Sequence, residues 1–320
     1  MKNRKNTKRR DSVKNPYLTL LEKYKTENTC LDAIFYARAA KDSTCIGCGK
    51  DVLMFYKKIN GRKGYQCKIC MSQVYPLAGT ILENTHIKLH IWLGVLIDKI
   101  VNHSGISANS VAYKYTLSNG SAWKLLDRVR QWMALTNEAN WKPLEGYVEC
   151  DEVAICTGTK GLGRKRKMKR GFGSHRMTPF LTMVQRDGGI KSVKIDDRER
   201  YTLLPLICDN VKTGSIICTD ELRSYNSLSS LGYQHKVVNH SKNEYKNGDA
   251  TTNRAEGYFG IVKPTITGTY RNISDKHSQK YMEEYDFRYN NRELSLEEKF
   301  NKLLNCLPPL FEHVRTRKAA

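Results

Sequence analysis

The chain has 320 residues and carries 54 Lys and Arg against 32 Asp and Glu, a net charge of +22. Its 40% hydrophobic content and 18 tyrosines supply at least one sizeable core, which excludes a wholly disordered chain, and about one to three domains fit the length. The charge selects a polyanion as partner, nucleic acid ahead of an anionic membrane surface, and no apolar run approaches the roughly 20 residues that span a bilayer.

Residues 1–14 hold seven basic residues and no apolar stretch, so they read as a basic arm, or equally as a solvated terminus, and not as a secretory signal. Pro16 opens a helix toward Ala40, with a break near Asn28 and Thr29. Residues 45–76 form a compact cysteine module. From Lys88 to Val101, Leu89, Trp92, Leu93, Leu96, Ile97 and Ile100 follow a helical period. Two more helices, Ser107–Leu117 and Ser121–Met133, are joined by a turn at Ser118-Asn119-Gly120. Trp123, Leu126, Val129 and Met133 share a buried stripe, while Lys124, Arg128 and Arg130 stay polar. A helix-turn-helix-like unit and an ordinary helical linker fit this pattern equally well.

The tract Asn137–Gly146 leads into an α/β domain. Strands are predicted at Tyr147–Cys156, Met177–Gln185 and Ile190–Ile195, the last two linked by a hairpin turn at Asp187-Gly188-Gly189. A helix over Tyr201–Val211 contains Pro205. Strands at Ser215–Thr219 and His235–Val238 follow. A helix over Asn253–Lys263 is stopped by Pro264, and helices over Ser274–Tyr289 and Leu296–Leu304 precede a basic tail. The expected segments are an arm and helical region (1–42), a cysteine module (43–80), a helical region (81–142), an α/β domain (143–300) and a tail (301–320).

Cys45-x2-Cys48 and Cys67-x2-Cys70 are two tight thiolate pairs, eighteen residues apart. Together they suit the closed tetrahedral shell of structural zinc; a rubredoxin-like iron site, disulfides and coincidence are the other readings. Gly47 and Gly49 suit the first knuckle. Such a shell has no open position, so its role is recognition or architecture. The other six cysteines lack this spacing and read as free thiols, consistent with a reducing compartment.

Three carboxylates stand out by placement. Asp151 lies in a strand, shares a face with Glu149 and opposes Glu152. Asp220 ends an apolar strand. Glu256 shares a helix face with Asn253, Gly260 and Lys263, while Ala255, Phe259 and Val262 point to an apolar side. Such acids often are merely solvated. Their alternative use is to hold divalent cations, which invert the local charge and let a site act on polymer phosphates; Mg²⁺ suits oxygen donors, and Mn²⁺ substitutes. Val153–Arg186 contains nine Lys and Arg and no acid, with Arg164, Lys165, Arg166, Lys167, Lys169 and Arg170 densest. This tract reads as a phosphate-contacting loop in preference to a solvated one.

Taken together, several motifs resemble the ISXO2-like, or IS1595-family, insertion-sequence transposases. They are the cysteine module with Gln73–Thr80, Ser121–Arg130, Val148–Glu152, Thr219-Asp220-Glu221, Val238–Ser241, Thr252–Phe259, Gly268-Thr269-Tyr270 and Glu284–Arg292. The resemblance covers roughly residues 20–295. It implies a zinc ribbon, a helical DNA-binding region and an RNase H-like catalytic domain whose acidic triad corresponds to Asp151, Asp220 and Glu256. Asn253, His240 and Glu152 are secondary site candidates. Phe259 stands where the family pattern has Trp, an aromatic replacement outside the triad.

The implied activity is metal-dependent DNA transposition: cleavage at an element end, then attack of the freed 3′-hydroxyl on target DNA. The implied partners are double-stranded DNA, in the form of terminal inverted repeats and target, and a second copy of the chain in a dimer or larger synaptic complex. Lys124, Arg128 and Lys263 join the basic tract as DNA-contact candidates. No membrane is implied, and the expected location is the cytoplasm and nucleoid of a prokaryote. A transposon-derived DNA-binding protein without cleavage activity and a nonmobile metal-dependent nuclease are the alternatives.

Overall fold

The computed structural model describes residues 15–41, 44–45, 47–50, 54–59, 62–157, 177–238, 251–271 and 273–310. The basic arm, the tract 158–176 and His240 lie outside them. The chain divides into two compact units, residues 1–101 with 295–320, and residues 102–294.

The first unit begins with α1 (Pro16–Lys23) and α2 (Glu27–Ala39). The break between them falls at Tyr24–Thr26, earlier than the predicted Asn28 and Thr29. Thr26 accepts the Thr29 backbone N–H and so starts a new helix. A three-stranded antiparallel sheet follows, β1 (Met54–Ile59), β2 (Arg62–Cys67) and β3 (Gln73–Val74). Tyr65 of β2 stacks on Phe35 of α2 with ring centroids 3.6 Å apart. Buried Arg38 donates to the carbonyls of Pro76, Ala78, Pro308, Pro309 and Leu310, so one guanidinium fork satisfies five carbonyls. Helix α3 (Leu89–Val101) supplies buried Trp92, Leu93, Leu96 and Ile97 on the predicted period.

The second unit opens with α4 (Ala108–Tyr115) and α5 (Asn119–Ala139). The link between them is not at Ser118-Asn119-Gly120. Thr116 takes the left-handed turn conformation, at φ 53°, and Ser118 caps α5 by accepting the Ser121 N–H, so Asn119 and Gly120 are already helical. A five-stranded mixed sheet comes next: β4 (Tyr147–Cys156), β5 (Met177–Gln185), β6 (Ile190–Lys194), β7 (Ile216–Thr219) and β8 (Gln234–Val237). Its spatial order is β6-β5-β4-β7-β8. The first three are antiparallel, β5 and β6 joined by a turn at Asp187 with φ 56°, while β7 and β8 run parallel to β4. The mixed α/β architecture agrees with the sequence reading.

Helix α6 (Arg200–Asn210) covers one face, packing Leu203 and Ile207 on Val148, Cys150 and Met183. Helices α7 (Asn253–Thr265) and α8 (Ser278–Asn290) cover the other, packing Ala255, Tyr258, Phe259, Val262, Met282 and Tyr285 on Val153, Ile155 and Phe180. Odd and even residues of β4 thus serve opposite cores, as the pleat requires. Pro264 does not stop α7. The helix runs to Thr265 and a wider turn over Ile266–Tyr270, because a missing N–H at position 264 leaves only the carbonyl of exposed Gly260 unmatched, where water reaches it.

Helix α5 packs along α8 through an ion pair buried from solvent, Arg130 Nε to Glu284 Oε2 at 3.0 Å. Arg130 is therefore a core residue, with its guanidinium 3.8 Å from the Tyr281 ring centroid, and not a surface cation. Trp123 departs from its predicted stripe: it is 41% exposed and meets His277 edge-on, while Ala122 and Leu125 take its buried place. Finally, α9 (Leu296–Cys306) returns to the first unit, where Phe300 stacks on Tyr24.

Candidate metal centres and active site

The acidic site grows from the register of β4. Its parallel pairing with β7 aligns Glu149 with Cys218. Two residues on, Asp151 arrives beside Asp220, the first residue past the end of β7. Ligand oxygens of Asp151, Glu152 and Asp220 all lie within 4.8 Å of one another. Adjacent strand residues normally diverge, and Asp151 and Glu152 do belong to opposite faces; their oxygens converge only at this rim.

Each acid is held. Asp151 Oδ1 accepts the Glu152 backbone N–H at 2.7 Å. Asp220 Oδ1 accepts the Leu222 N–H at 3.0 Å. Glu152 accepts the Tyr225 hydroxyl, and Arg198 Nη1 stands 4.0 Å from its other oxygen. Burial pushes the Asp151 carboxyl up to about 7, reinforced by the charges of Asp220 and Glu256 and opposed by the Glu152 N–H and Lys263. Burial likewise pushes Glu152 up to about 7, with Asp220 and Asp151 adding repulsion and the Tyr225 hydroxyl and Arg198 resisting. Crowded, desolvated carboxylates of one sign are a donor set that a hard divalent cation would relieve.

Glu256 is not part of this close trio. It projects from the first turn of α7, exposed, with the Thr252 hydroxyl 3.5 Å away, and acts on Asp151 through its charge. Asn253, at the first position of α7, is also exposed, and its N–H donates to the Thr251 hydroxyl. Lys263 is exposed on the same helix, 5.8 Å from the Phe259 ring centroid, while Phe259 packs in the core. Lys124 and Arg128 are exposed on α5. Sequence reasoning missed Tyr225 and Arg198. No pattern near either residue points to Glu152, which lies 73 positions from Tyr225.

The second cluster belongs to the other unit. The sulfurs of Cys45, Cys48, Cys67 and Cys70 all lie within 4.8 Å, with Cys45 and Cys70 at 3.4 Å and Cys48 and Cys67 at 3.9 Å. Two matching knuckles build it. Gly47 N–H donates to Cys45 Sγ and Ile69 N–H to Cys67 Sγ, both at 3.3 Å. Each knuckle closes with a left-handed residue four positions after its first cysteine, Gly49 at φ 67° and Met71 at φ 61°. Gly47 is needed for a different reason: a Cβ there would lie 2.0 Å from Ser72 Oγ and 2.9 Å from Cys70 Sγ. Hydrogen bonding by Ser72 draws the Cys70 thiol down to about 6. Four inward sulfurs with N–H support fit a soft, tetrahedral ion.

A family model for the ISXO2-like transposase domain matches residues 143–290. An uncharacterized transposase-like protein of Haemophilus influenzae is 30% identical over 105 residues, 33% of this chain and 84% of the relative. The chain belongs to the ISXO2-like transposase family. An uncharacterized protein in the transposable element ISH50 of Halobacterium salinarum is 23% identical over 256 residues, 76% of this chain and 84% of the relative. Among solved structures, the Mos1 strand transfer complex aligns at 12% identity and a TM-score of 0.29, covering 67% of this chain and 75% of that one. The pre-cleavage Mos1 transpososome aligns at 11% identity and a TM-score of 0.26, covering 66% and 76%. Among the described residues, no helix is long and apolar enough to cross a membrane.

Proposed function

We propose that this protein is a DNA transposase that cleaves insertion-sequence ends and joins the freed 3′-hydroxyl ends to target DNA. The observation that carries the reading is the convergence of Asp151, Glu152 and Asp220 at the rim of the family domain's sheet. The RNase H-like assignment of this domain is supported by the strand order β6-β5-β4-β7-β8 with its antiparallel and parallel halves.

Asp151 and Asp220 would hold divalent metal, Mg²⁺ or Mn²⁺, with Glu152 within reach and Glu256 completing the set from α7. Bound metal supplies an activated oxygen nucleophile and charge neutralisation at the phosphate. The protein's own part is orientation. Tyr225 and Arg198 hold the Glu152 carboxylate, and the Leu222 N–H holds Asp220. Lys263, on the same helix as Glu256, and the exposed Lys124 and Arg128 would contact DNA phosphate, as would the basic tract 164–170 by its composition. The ribbon, carrying structural Zn²⁺, and helices α4 and α5 would read terminal inverted repeats. Two ends must be joined, so a dimer or larger assembly is the working form.

The test is cleavage and strand transfer on paired repeat ends with Mg²⁺, using Asp151→Asn, Asp220→Asn, Glu152→Gln and Glu256→Gln. Loss of a metal-holding carboxylate should lower cleavage by roughly a hundredfold or more. Undiminished activity in Asp151→Asn and Asp220→Asn would sink the site. Specific binding of the ends without cleavage, across metals, would identify a noncatalytic DNA-binding protein instead.

A further inference from the structure

We infer that Glu149 is a positioning residue, clamping the start of α7 to β4 and thereby setting where Glu256 stands relative to Asp151. The inference rests on the proposed participation of Glu256 in the acidic site.

At the start of α7 the N-cap residue Thr252 makes no side-chain capping bond, and the neighbouring Thr251 hydroxyl serves only the Asn253 N–H. The first backbone N–H groups of a helix have no partner within it and must find one elsewhere. Here the partner comes from the sheet. Glu149 Oε2 accepts the Arg254 N–H at 2.8 Å and the Ala255 N–H at 3.3 Å. Its other oxygen faces Arg186 Nε at 3.4 Å, and the Arg186 guanidinium lies 4.7 Å from the Tyr147 ring centroid. Glu149 is wholly buried, so both oxygens depend on these partners.

Capping by a serine or threonine within the same segment would start the helix without saying where it sits. A cap from β4 does both. Glu149 is two residues from Asp151 on one strand face, about 7 Å along the strand. Arg254 is two residues from Glu256, about 3 Å along the helix axis. The clamp therefore lies within about 7 Å of both acids along its two elements, and a slip of α7 would move Glu256 while leaving Asp151 in place. Glu149 itself does not enter the close trio of Asp151, Glu152 and Asp220, so it acts through Glu256.

The experiment is a double-mutant cycle on Mn²⁺ affinity, followed by electron paramagnetic resonance on zinc-loaded full-length protein: wild type, Glu149→Gln, Glu256→Gln and the double variant. Hydrogen exchange at the Arg254 and Ala255 amides is measured alongside. Glu149→Gln should speed exchange at those two amides and weaken Mn²⁺ binding about tenfold, within the range for supporting partners of metal ligands. It should cost nothing further in the Glu256→Gln background. Glu149→Asp, which keeps the charge but shortens the reach, gives the same reading if the glutamine variant folds poorly. Additive losses in the double variant, or unchanged exchange at the two amides, would overturn the positioning role alone. A Glu256→Gln protein that binds Mn²⁺ as the wild type does would overturn the assignment of Glu256, and the positioning role with it.

Discussion

The four-thiolate cluster and the carboxylate cluster are built on opposite plans. All four sulfurs come from the single stretch Cys45–Cys70, and two repeated knuckles aim them with N–H···S bonds and left-handed turns. The close trio of carboxylates comes from β4 and from the residue just past β7, so only the pairing of those strands brings Asp220 to Asp151 and Glu152. The first site is closed and soft, suited to holding a fold. The second is a largely desolvated set of hard oxygens under mutual repulsion, suited to a hard cation. Local geometry aims the sulfurs, and sheet register gathers the carboxylates.

The sharpest way to break this contrast is to test the zinc proposed for the four-cysteine module. If zinc fills that shell as proposed, chelation or Cys67→Ser should remove it and unfold the four-cysteine module, since structural zinc contributes on the order of 10 kcal/mol to small modules. Zinc analysis with hydrogen exchange over that stretch checks it; retained protection without metal would make the knuckles self-sufficient.

The next largest effect is on the acids and has a definite sign with pH. Asp151 and Glu152 are raised to about 7 in the folded metal-free protein, above their unfolded values near 4. Folded protein therefore binds more protons than unfolded across this window. Their contribution to stability is present in full below about pH 4 and is lost as pH rises toward 7. Asp286, buried and also raised to about 7, acts with the same sign. The difference between wild type and Asp151→Asn thus isolates Asp151. The variant should flatten the decline of denaturation midpoint with pH and be the more stable protein at pH 7.5 without metal. Added Mg²⁺ should stabilise the wild type more than the variant.

A smaller perturbation tests how Glu152 is held. Tyr225→Phe removes the hydroxyl that keeps the Glu152 carboxyl from rising further. Cleavage should fall about tenfold, with the acid limb of its pH profile displaced upward; an unmoved limb would separate Glu152 from the chemistry. The smallest effect belongs to Lys124→Ala on exposed α5. DNA binding should weaken evenly across sequences, and its salt slope should drop by about one. Loss confined to one repeat sequence would instead make Lys124 a base reader.

Much of this was readable beforehand, for identifiable reasons. Strands Tyr147–Cys156 and Met177–Gln185 have the bounds read from the sequence. The face shared by Asp151 and Glu149 follows from the pleat, and it is the face that receives α7. The errors have a common cause as well. Arg130 looked solvated because arginine usually is, but Glu284, 154 positions away, receives it in the core. Trp123 looked buried because tryptophan usually is, but Ala122 and Leu125 are the buried residues there, and Trp123 lies at the surface edge-on to His277. Residue type predicts burial on average; the partner across the interface decides each case.

By itself the sequence determined the thiolate set, the strands that carry Asp151 and Asp220, and the apolar face of α7, because each depends on spacing within one segment. Only the tertiary structure decided that Glu152 turns into the acidic rim, that Glu256 stays exposed beside it, and that Glu149 caps the helix between them. Those outcomes depend on the parallel register of β4 with β7 and on where α7 docks. Register and docking are set by burial of whole faces, a sum over many distant residues that no short motif contains.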